Sequence, residues 1–213
     1  MIQYKNLFYN KYRKNKYSQN GEDGVLQEIL KRLNIKKGWV CEFGAWDGKH
    51  LSNTFSLVEK NFWAVYIEGD YEKYKDLLKT GKSYKNIIPI NAYVDFHDTH
   101  NSLDNLLKRT NIPNDFEVLS IDIDSFDYQI WKSLKHYNPK IVIIEINSSI
   151  NVYNDNHIHT PGLYEGTGFK PMLNLAKEKG YTFILHTGNL FFIRNDLFHM
   201  LNIVYDDPLE NFI

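Results

Sequence analysis

The segment Trp39-Val40-Cys41-Glu42-Phe43-Gly44-Ala45-Trp46-Asp47-Gly48 decides how the rest of this chain is interpreted. Its first five residues predict a short apolar strand. The two glycines predict a tight turn, because a residue without a Cβ lets the backbone bend sharply and approach a ligand closely. A helical pattern begins near Leu51. The turn would therefore present free main-chain N–H groups at the start of a helix, where ligands are commonly bound.

The acids in this turn indicate the ligand. A turn that holds the pyrophosphate of a dinucleotide reads G-x-G-x-x-G, whereas this one reads E-F-G-A-W-D-G. The carboxylates of Glu42 and Asp47 would repel a phosphate, but they suit a ligand with a cationic amine and sugar hydroxyls. S-Adenosylmethionine (SAM) has both. We predict that Glu42, Gly44, Asp47 and Gly48 bind SAM.

Composition narrows the class of protein. The chain has 213 residues, of which 43% are hydrophobic and 24% charged, as expected for one folded domain over residues 1–213. The net charge of −1 does not favour nucleic acid as a partner. Lysines are dense at both ends of the first 37 residues, and we interpret both groups as solvated faces. They are Lys5, Lys11, Lys14 and Lys16, followed by Lys31, Lys36 and Lys37. The single cysteine, Cys41, excludes an internal disulfide. No segment approaches the ~20 apolar residues of a membrane span, and we expect a cytoplasmic location.

Strand and helix patterns alternate from Trp39 onwards. Helical segments separate five apolar strands, which predicts a parallel, doubly wound sheet with the very apolar segment 141–147 as its buried centre. Two further strands joined by Thr187-Gly188-Asn189 predict a C-terminal antiparallel hairpin. The predicted fold is α/β, a doubly wound, mostly parallel seven-stranded sheet of the Rossmann-like SAM-methyltransferase type. The predicted strands are 39–43, 62–68, 86–91, 117–124, 141–147, 181–186 and 190–194, and the predicted helices after the first strand are 51–60, 71–80, 101–110, 128–135 and 168–179.

Two regions lie outside this alternation. Residues 1–16 are basic and aromatic, and they predict an arm or a short helix. A helix follows, with Ser18 or Asn20 as its cap, and it stops at Lys36-Lys37-Gly38. Residues 148–166 have no period, and a loop of this length is typical of a lid or a binding loop.

Each of the five parallel strands ends in an acid or an amide. Ligands of open parallel sheets bind beyond the carboxyl ends of the strands, so these residues are candidates for a site. Glu68, at the end of the second strand, can accept both ribose hydroxyls. Asp122, at the end of the fourth, could accept from the methionine amino group or hold a substrate. The remaining cofactor-binding candidates are Gly69, Asn91 and Ala92, whereas Asp70 and Asp127 directly precede helices and are expected to cap them.

Several motifs occur in order between residues 17 and 196. They are Tyr17-Ser18-Gln19-Asn20-Gly21-Glu22-Asp23, the turn 42–48, Ile67-Glu68-Gly69-Asp70, residues 120–128 (SIDIDSFDY), Ile144-Glu145-Ile146-Asn147 and the tail 188–194. Together they resemble the FkbM-like SAM-dependent methyltransferases. The resemblance implies a class I methyltransferase fold and O-methylation, commonly of sugars or natural-product hydroxyls, with bacterial relatives that often modify surface polysaccharide. It also implies that Ser18-Gln19 lies near the cofactor. We therefore predict that residues 1–37 cover the cofactor cleft and that Gln19 binds the cofactor.

The expected reaction needs alignment and removal of a proton. A sulfonium methyl group is already activated, so the enzyme must chiefly align acceptor oxygen, methyl carbon and sulfur, and exclude water. A neutral hydroxyl must still lose its proton. The candidate bases are Asp124, Glu145, His157 and His159, and Asn147 is a further catalytic candidate.

A divalent cation is the alternative to a protein base. Asp122, Asp124, Glu145 and Asn147 could hold Mg²⁺ or Mn²⁺, which would lower the pKa of the acceptor hydroxyl. An excess of acids can equally bind sugar hydroxyls, so no residue is assigned as a metal ligand.

Three functions stay open at this point. The first is a SAM-dependent O-methyltransferase for a small acceptor, such as a sugar or sugar derivative of surface polysaccharide biosynthesis. The second is a non-catalytic SAM-binding module or pseudoenzyme partner. The third is an NAD-dependent oxidoreductase on a similar sheet, which the missing third glycine and the acids Glu42 and Asp47 argue against. We allow for a homodimer.

Overall fold

One seven-stranded mixed sheet organises the protein, for which a computed structural model describes residues 11–203. The strands are β1 (Trp39–Phe43), β2 (Trp63–Glu68), β3 (Ile87–Asn91), β4 (Val118–Ile121), β5 (Ile141–Glu145), β6 (Tyr181–His186) and β7 (Asn189–Arg194). Their spatial order is β3-β2-β1-β4-β5-β7-β6. Strands β1 to β5 pair in parallel, and β7 is antiparallel to both β5 and β6. The predicted α/β fold with its C-terminal antiparallel hairpin is confirmed, although β4 and not β5 is the central strand.

Helices cover both faces of this sheet. They are α1 (Glu22–Arg32), α2 (Phe55–Val58), α3 (Tyr71–Ser83), α4 (Leu103–Leu107), α5 (Asp127–Ser133), α6 (Phe169–Glu178) and a 3-10 helix (Asn195–Leu201). Apolar residues of α1, α2 and the 3-10 helix pack on one face. Residues of α4, α5 and α6 pack on the other, around the fully buried Trp131. Burial of each such side chain stabilises the fold by about 1.5–3 kcal/mol, so two apolar layers hold the strand ends in fixed positions.

Successive side chains of β1 point to opposite faces of the sheet and so belong to different apolar clusters. Cys41 and Phe43 belong to one apolar cluster, and Val40 belongs to the other. Glu42 faces the same side as Val40, because side chains two residues apart share a face. Its strand neighbours are Tyr66 of β2 and Ser120 of β4. An acid in the middle of the sheet therefore lies beside polar groups and not beside aliphatic ones.

Left-handed backbone conformations explain where the helices differ from the prediction. The predicted helix 51–60 shortens to Phe55–Val58, and left-handed residues lie on both sides of it, Leu51 with a φ of 55° and Asn61 with a φ of 65°. Helix α1 ends four residues before the predicted stop, where Asn34 has a φ of 55°. Its N-cap is Gly21, with a φ of 98°, and neither Ser18 nor Asn20. Within the predicted arm, residues 1–10 lie outside the described part of the chain.

Candidate functional site

Three adjoining cavities lie along the carboxyl edge of the parallel strands. The large cavity, of about 970 Å³, extends over the ends of β1 to β4. The acidic cavity, of about 490 Å³, lies between the β1, β4 and β5 ends, the residues before α1 and the β6–β7 turn. The small cavity, of about 300 Å³, lies under the loop after β5. Asp124 lines all three, while Gly44 and Asp122 line the large and acidic cavities. The cavities thus form one cleft with a narrow junction.

Gly44 makes this junction possible. Its φ is 75°, and a Cβ built there would lie 2.2 Å from the main-chain oxygen of Asp122. No side chain fits in that space, and L-residues are strained at this φ. The ends of β1 and β4 therefore meet backbone to backbone, and a ligand at the junction touches main chain.

Glu68 lies in the wall of the large cavity in a fixed orientation. Its Oε2 accepts from the Trp46 N–H at 2.7 Å, and its Oε1 accepts from the Asp70 N–H at 2.8 Å. The side chain is 7% exposed. Each carboxylate oxygen can accept more than one hydrogen bond, so capacity remains for a pair of hydroxyls.

The adjoining wall of the large cavity comes from Gly69, Ala92 and Tyr93. A Cβ on Gly69 would lie 2.4 Å from the Tyr93 ring, so the absence of a side chain at residue 69 makes room for that ring. Asn91 has another role, because its amide donates to the main-chain oxygens of Glu68, at 2.8 Å, and of Gly69. It joins the end of β3 to the end of β2 and does not line the large cavity.

Asp47 and Gly48 stabilise the turn after β1 and line neither the large nor the acidic cavity. Asp47 Oδ1 accepts from the N–H groups of Lys49 and His50, at 2.9 and 2.7 Å. A Cβ on Gly48 would lie 2.9 Å from a methyl carbon of Leu77. The geometry therefore favours a structural role for both residues over the predicted contact with SAM.

Glu42 is buried at the floor of the acidic cavity. Its Oε2 accepts from Ser52 Oγ at 3.1 Å, from the Thr54 N–H at 3.0 Å and from Thr54 Oγ1 at 2.6 Å. Burial raises the pKa of Glu42 to about 7, against the opposing effect of these hydrogen bonds, and the charge of Asp122 raises it further. Sequence reasoning missed Ser52 and Thr54, although two hydroxyl residues close to a strand-end acid are a readable signal.

Asp122, Asp124 and Glu145 meet at the junction. The Glu145 Oε2 accepts from the Asp124 N–H at 3.0 Å, which holds Asp124 at a φ of 56°. Burial raises the pKa of Asp122 and that of Glu145, and the charges of neighbouring aspartates, including Asp127, raise both further. Like charges this close disfavour full ionisation, so the cluster retains a proton near neutral pH.

Asp70 and Asp127 satisfy main-chain N–H groups. Asp70 is the N-cap of α3 and accepts from the N–H groups of Glu72 and Lys73. Asp127 accepts instead from residues that precede it, Ile123 N–H at 3.0 Å and Ser125 N–H at 2.9 Å. Asp127 therefore shapes the turn that carries Asp124.

The segment before α1 forms one wall of the acidic cavity. Asp23 Oδ2 accepts from three successive N–H groups, those of residues 16–18, and from Ser18 Oγ. This places Gln19 in the lining of the acidic cavity. Thr187 Oγ1 in the β6–β7 turn donates to Glu22 Oε1 at 2.6 Å. The start of the described chain is thereby attached beside the cleft, and the predicted cofactor contact of Gln19 stays a prediction.

The loop after β5 carries the remaining catalytic candidates, of which only Asn147 lines one of the three cavities. Asn147 lines the small cavity, but its amide donates to the Glu165 oxygen at 2.8 Å and its Oδ1 accepts from the Ser149 N–H at 3.1 Å. The His157 ring lies 4.6 Å from that of Tyr164. His159 Nδ1 accepts from the Gly166 N–H at 3.1 Å. Over residues 11–203, neither histidine lines the three cavities. The geometry therefore favours Asp124 over the histidines as a base.

The alternative of a divalent cation has little geometric support. Among residues 11–203, no group of three or more His, Cys, Asp or Glu side chains is arranged to hold a metal ion. Asn147, one of the four residues considered as ligands, already accepts from Ser149 through its Oδ1.

Within the described part of the chain, no helix has the combined length and apolarity needed to cross a membrane.

Comparison with known proteins defines the fold. No protein-family model matches this sequence, and no curated protein matches it. The N-terminal domain of EvdMO1 with SAH bound aligns with a TM-score of 0.50 and 9% identity, over 83% of this chain and 80% of that one. A putative sarcosine dimethylglycine methyltransferase from Galdieria sulphuraria aligns with a TM-score of 0.50 and 13% identity, over 76% of this chain and 60% of that one. A SAM dependent methyltransferase from Aquifex aeolicus covers 88% of this chain and 96% of its own, with a TM-score of 0.48 and 10% identity. The two alignments with a TM-score of 0.50 show that the chain has the fold of class I SAM-dependent methyltransferases.

Proposed function

We propose that this protein is a SAM-dependent methyltransferase that methylates a hydroxyl group of a small acceptor, a sugar or sugar derivative. One observation carries the proposal. Gly44 and Asp122 bring two strand ends together without side chains between them, and this junction opens on one side to the large cavity and on the other to the acidic cavity. A donor can lie in the first cavity and an acceptor in the second, with their reacting atoms meeting at the junction.

The large cavity suits the nucleoside part of SAM. Glu68 would accept the two ribose hydroxyls with an already oriented carboxylate, and Gly69, Ala92 and Tyr93 would flank the base. The Gly44 backbone and Asp122 would hold the methionine part at the junction. When bound there, SAM supplies an activated methyl group, so the protein's own task is to orient the acceptor and to take its proton.

Asp124 is our candidate for the residue that takes the proton. It is the residue common to all three cavities, and its carboxylate is exposed to them. Glu145 accepts from the Asp124 N–H at 3.0 Å and thereby fixes the position of Asp124. Because burial and neighbouring charges raise the pKa of Glu145, that carboxyl is mostly protonated near neutral pH and is a poor base.

An uncharged or amine-bearing sugar matches the acidic cavity. Its lining offers the carboxylates of Glu22 and Asp124 and the amides of Gln19, Asn20 and Asn189, all of which bond to hydroxyl groups. Over the described residues, this lining includes no lysine or arginine that could hold a phosphate. The resemblance to FkbM-like enzymes supports a sugar of surface polysaccharide, and we retain the expectation of a cytoplasmic location.

The test is calorimetry with SAM and with NAD, followed by transfer of a labelled methyl group from SAM to neutral, amino and nucleotide sugars. We expect micromolar affinity for SAM, none for NAD, and transfer to a neutral or amino sugar that EDTA does not abolish. SAM binding without transfer to any acceptor would favour a non-catalytic module. NAD binding without SAM binding would favour an oxidoreductase and end the proposal.

A further inference from the structure

Trp46 is an exposed aromatic residue in the turn after β1. The residue is 41% exposed, and its φ is 44°. A left-handed conformation is an outlier for so large a residue, and such outliers cluster at ligand-binding sites. Glycine adopts this φ without strain. The shape of the turn therefore does not by itself account for an indole ring here, whereas contact with a ligand does.

The indole ring of Trp46 has contacts that restrict its orientation. Lys73 Nζ lies over the ring, 5.1 Å from its centroid, and the His50 ring lies 5.0 Å away at an interplanar angle of 71°. The Trp46 N–H donates to Glu68 Oε2 at 2.7 Å, which fixes the main chain. A ring that is already oriented loses little conformational entropy when it binds a ligand.

Two cavities meet at Trp46. Trp46 and His50 line both the acidic cavity and a neighbouring cavity of about 390 Å³, which we call the side cavity. The other residues that line the side cavity are Asp47, Lys49, Asp76, Lys79 and Thr80. Gly44 and Asp124 line the acidic cavity but not the side cavity. The side cavity therefore extends the proposed acceptor site away from the junction where the methyl group would be transferred.

The side cavity suits a neutral polar ligand. Its lysines and aspartates balance in charge. Lys79 Nζ pairs with Asp76 Oδ1 at 2.7 Å. Lys49 Nζ lies over the rings of Phe55 and Tyr84, 5.3 and 5.1 Å from their centroids. Both ammonium groups thus already have partners, whereas a phosphate would need them free; hydroxyl groups can bond to the carboxylates without breaking these contacts.

We propose that Trp46 binds a second sugar unit, so that the enzyme methylates one unit of an oligosaccharide in preference to a free monosaccharide. This inference rests on the proposed function, which places the acceptor sugar in the acidic cavity. The face of a sugar ring carries C–H groups with a small positive charge, and the face of an indole ring is negative. The second unit would therefore stack on Trp46, with its hydroxyl groups bonded to the polar side chains of the side cavity. The first unit would remain at the junction with Asp124.

The test compares monosaccharides with their dimers as acceptors of a labelled methyl group from SAM. The sugars are glucose with maltose and cellobiose, and glucosamine with its chitosan dimer. We expect kcat/KM to be about fivefold higher for a dimer than for its monomer, the usual size of a stacking contact with an aromatic ring. Trp46→Ala should reduce this ratio to about one, and Trp46→Phe should retain part of it. The inference is overturned by equal kcat/KM for monomers and dimers, by a ratio that Trp46→Ala leaves unchanged, or by UDP-glucose as the best acceptor.

Trp63→Ala is the matched control. Trp63 is 45% exposed, but it is the first residue of β2, at the other end of that strand from Glu68. The dimer-to-monomer ratio of this variant should equal that of the parent. Calorimetry with SAM tests whether the ring belongs to the donor site instead. A loss of SAM affinity of about tenfold or more in Trp46→Ala would assign it there and overturn the inference.

Tryptophan fluorescence separates this inference from the proposed function. If none of the sugars is methylated, the proposed function fails, and binding of the dimers is measured by fluorescence with and without S-adenosylhomocysteine. Maltose, cellobiose or the chitosan dimer should change the emission of the parent and of Trp63→Ala, but not that of Trp46→Ala, since the emission of an exposed indole depends on its surroundings. No change in the parent, or an equal change in Trp46→Ala, would overturn the inference.

Discussion

The large and acidic cavities lie at one edge of the sheet, but the acids that line them differ in their hydrogen bonds and in their pKa shifts. In the wall of the large cavity, Glu68 has two carboxylate oxygens that each accept a main-chain N–H. In the acidic cavity, Glu42, Asp122 and Glu145 are close together, and burial followed by mutual repulsion raises the pKa of each. A strand-end acid is therefore held in one orientation where the following turn supplies N–H donors, and its pKa rises where burial and neighbouring acids outweigh the donors that it has.

This difference suits the two groups of acids to different roles in the proposed enzyme. An oriented carboxyl group is suited to two ribose hydroxyls, because each of its oxygens can accept more than one hydrogen bond. A cluster that holds protons can adjust its charge when a cationic sulfonium or an acceptor arrives. Asp124 lies where the two environments meet, so changes at this residue test the comparison most directly.

The largest effect is expected for Asp124→Asn. Asparagine tolerates the φ of 56° and keeps the shape, but it cannot take a proton. Methyl transfer should fall by about a thousandfold, within the usual range for loss of a general base. SAM affinity, measured by calorimetry, should change little. The exposed Asp98→Asn is the control, and undiminished transfer by Asp124→Asn would remove Asp124 from the catalytic residues.

The junction between the cavities is tested by Gly44→Ala. The new Cβ would lie 2.2 Å from the Asp122 oxygen at a φ of 75°. We expect a loss of about 3 kcal/mol in the free energy of unfolding, from the strained φ and the clash together. Gly180→Ala is a matched control, because Gly180 has a φ of 81° and nothing within 4 Å of its Cβ position.

Urea denaturation of both variants separates strain from contact. Gly180→Ala should cost about 1 kcal/mol, the part that the left-handed conformation alone requires. If the two variants lose equal stability, the close approach of β1 and β4 is not what makes Gly44 necessary.

The strand ends could be predicted from the sequence, but the environment of each acid could not. Apolar segments ending in Glu68, Asp122 and Glu145 follow from residue pattern and from the rule that parallel strands present their carboxyl ends together. Whether an acid meets N–H donors depends on the next turn. For Glu42 those donors come from a loop in which Leu51 has a left-handed conformation, which its side chain does not favour.

Contacts between segments far apart in the sequence could not be predicted either. Thr187 meets Glu22 across 165 residues, and local pattern carries no signal for such a pair. The histidines of the loop 148–166 were instead predicted for a site that they do not line. His157 and His159 are residues typical of a base, but the loop turns their rings towards Tyr164 and Phe126 and not into the cleft.

Glu42 in the acidic cavity should make the stability of the fold depend on pH, and Glu42→Gln should reduce this dependence. The pKa of Glu42 is about 7 in the folded protein, against 4.5 for an unperturbed glutamate side chain. The folded state therefore binds the proton more tightly than the unfolded chain does. This contribution to stability is complete below about pH 4.5 and is lost as pH rises through about 7.

Urea denaturation at about pH 5 and about pH 8 measures this contribution. Glu42→Gln should remove about 2–3 kcal/mol of the difference between the two conditions, as expected for a shift of roughly two units. Glu72→Gln, at an exposed position on α3, is the control. Equal pH dependence in Glu42→Gln and the parent would mean that Glu42 is ionised in the folded state.

The smallest effect is expected for Glu68→Gln, which tests the large cavity. Glutamine keeps the length of the side chain but replaces one acceptor oxygen with an NH₂ group, which would face the N–H of Trp46 or Asp70. SAM affinity should fall by about tenfold, the cost of one hydrogen bond to a charged group. Glu68→Ala would also leave both N–H groups without their acceptor and should lose about 1–3 kcal/mol of stability. Unchanged SAM affinity in a folded Glu68→Gln variant would show that the oriented carboxylate does not bind the ribose.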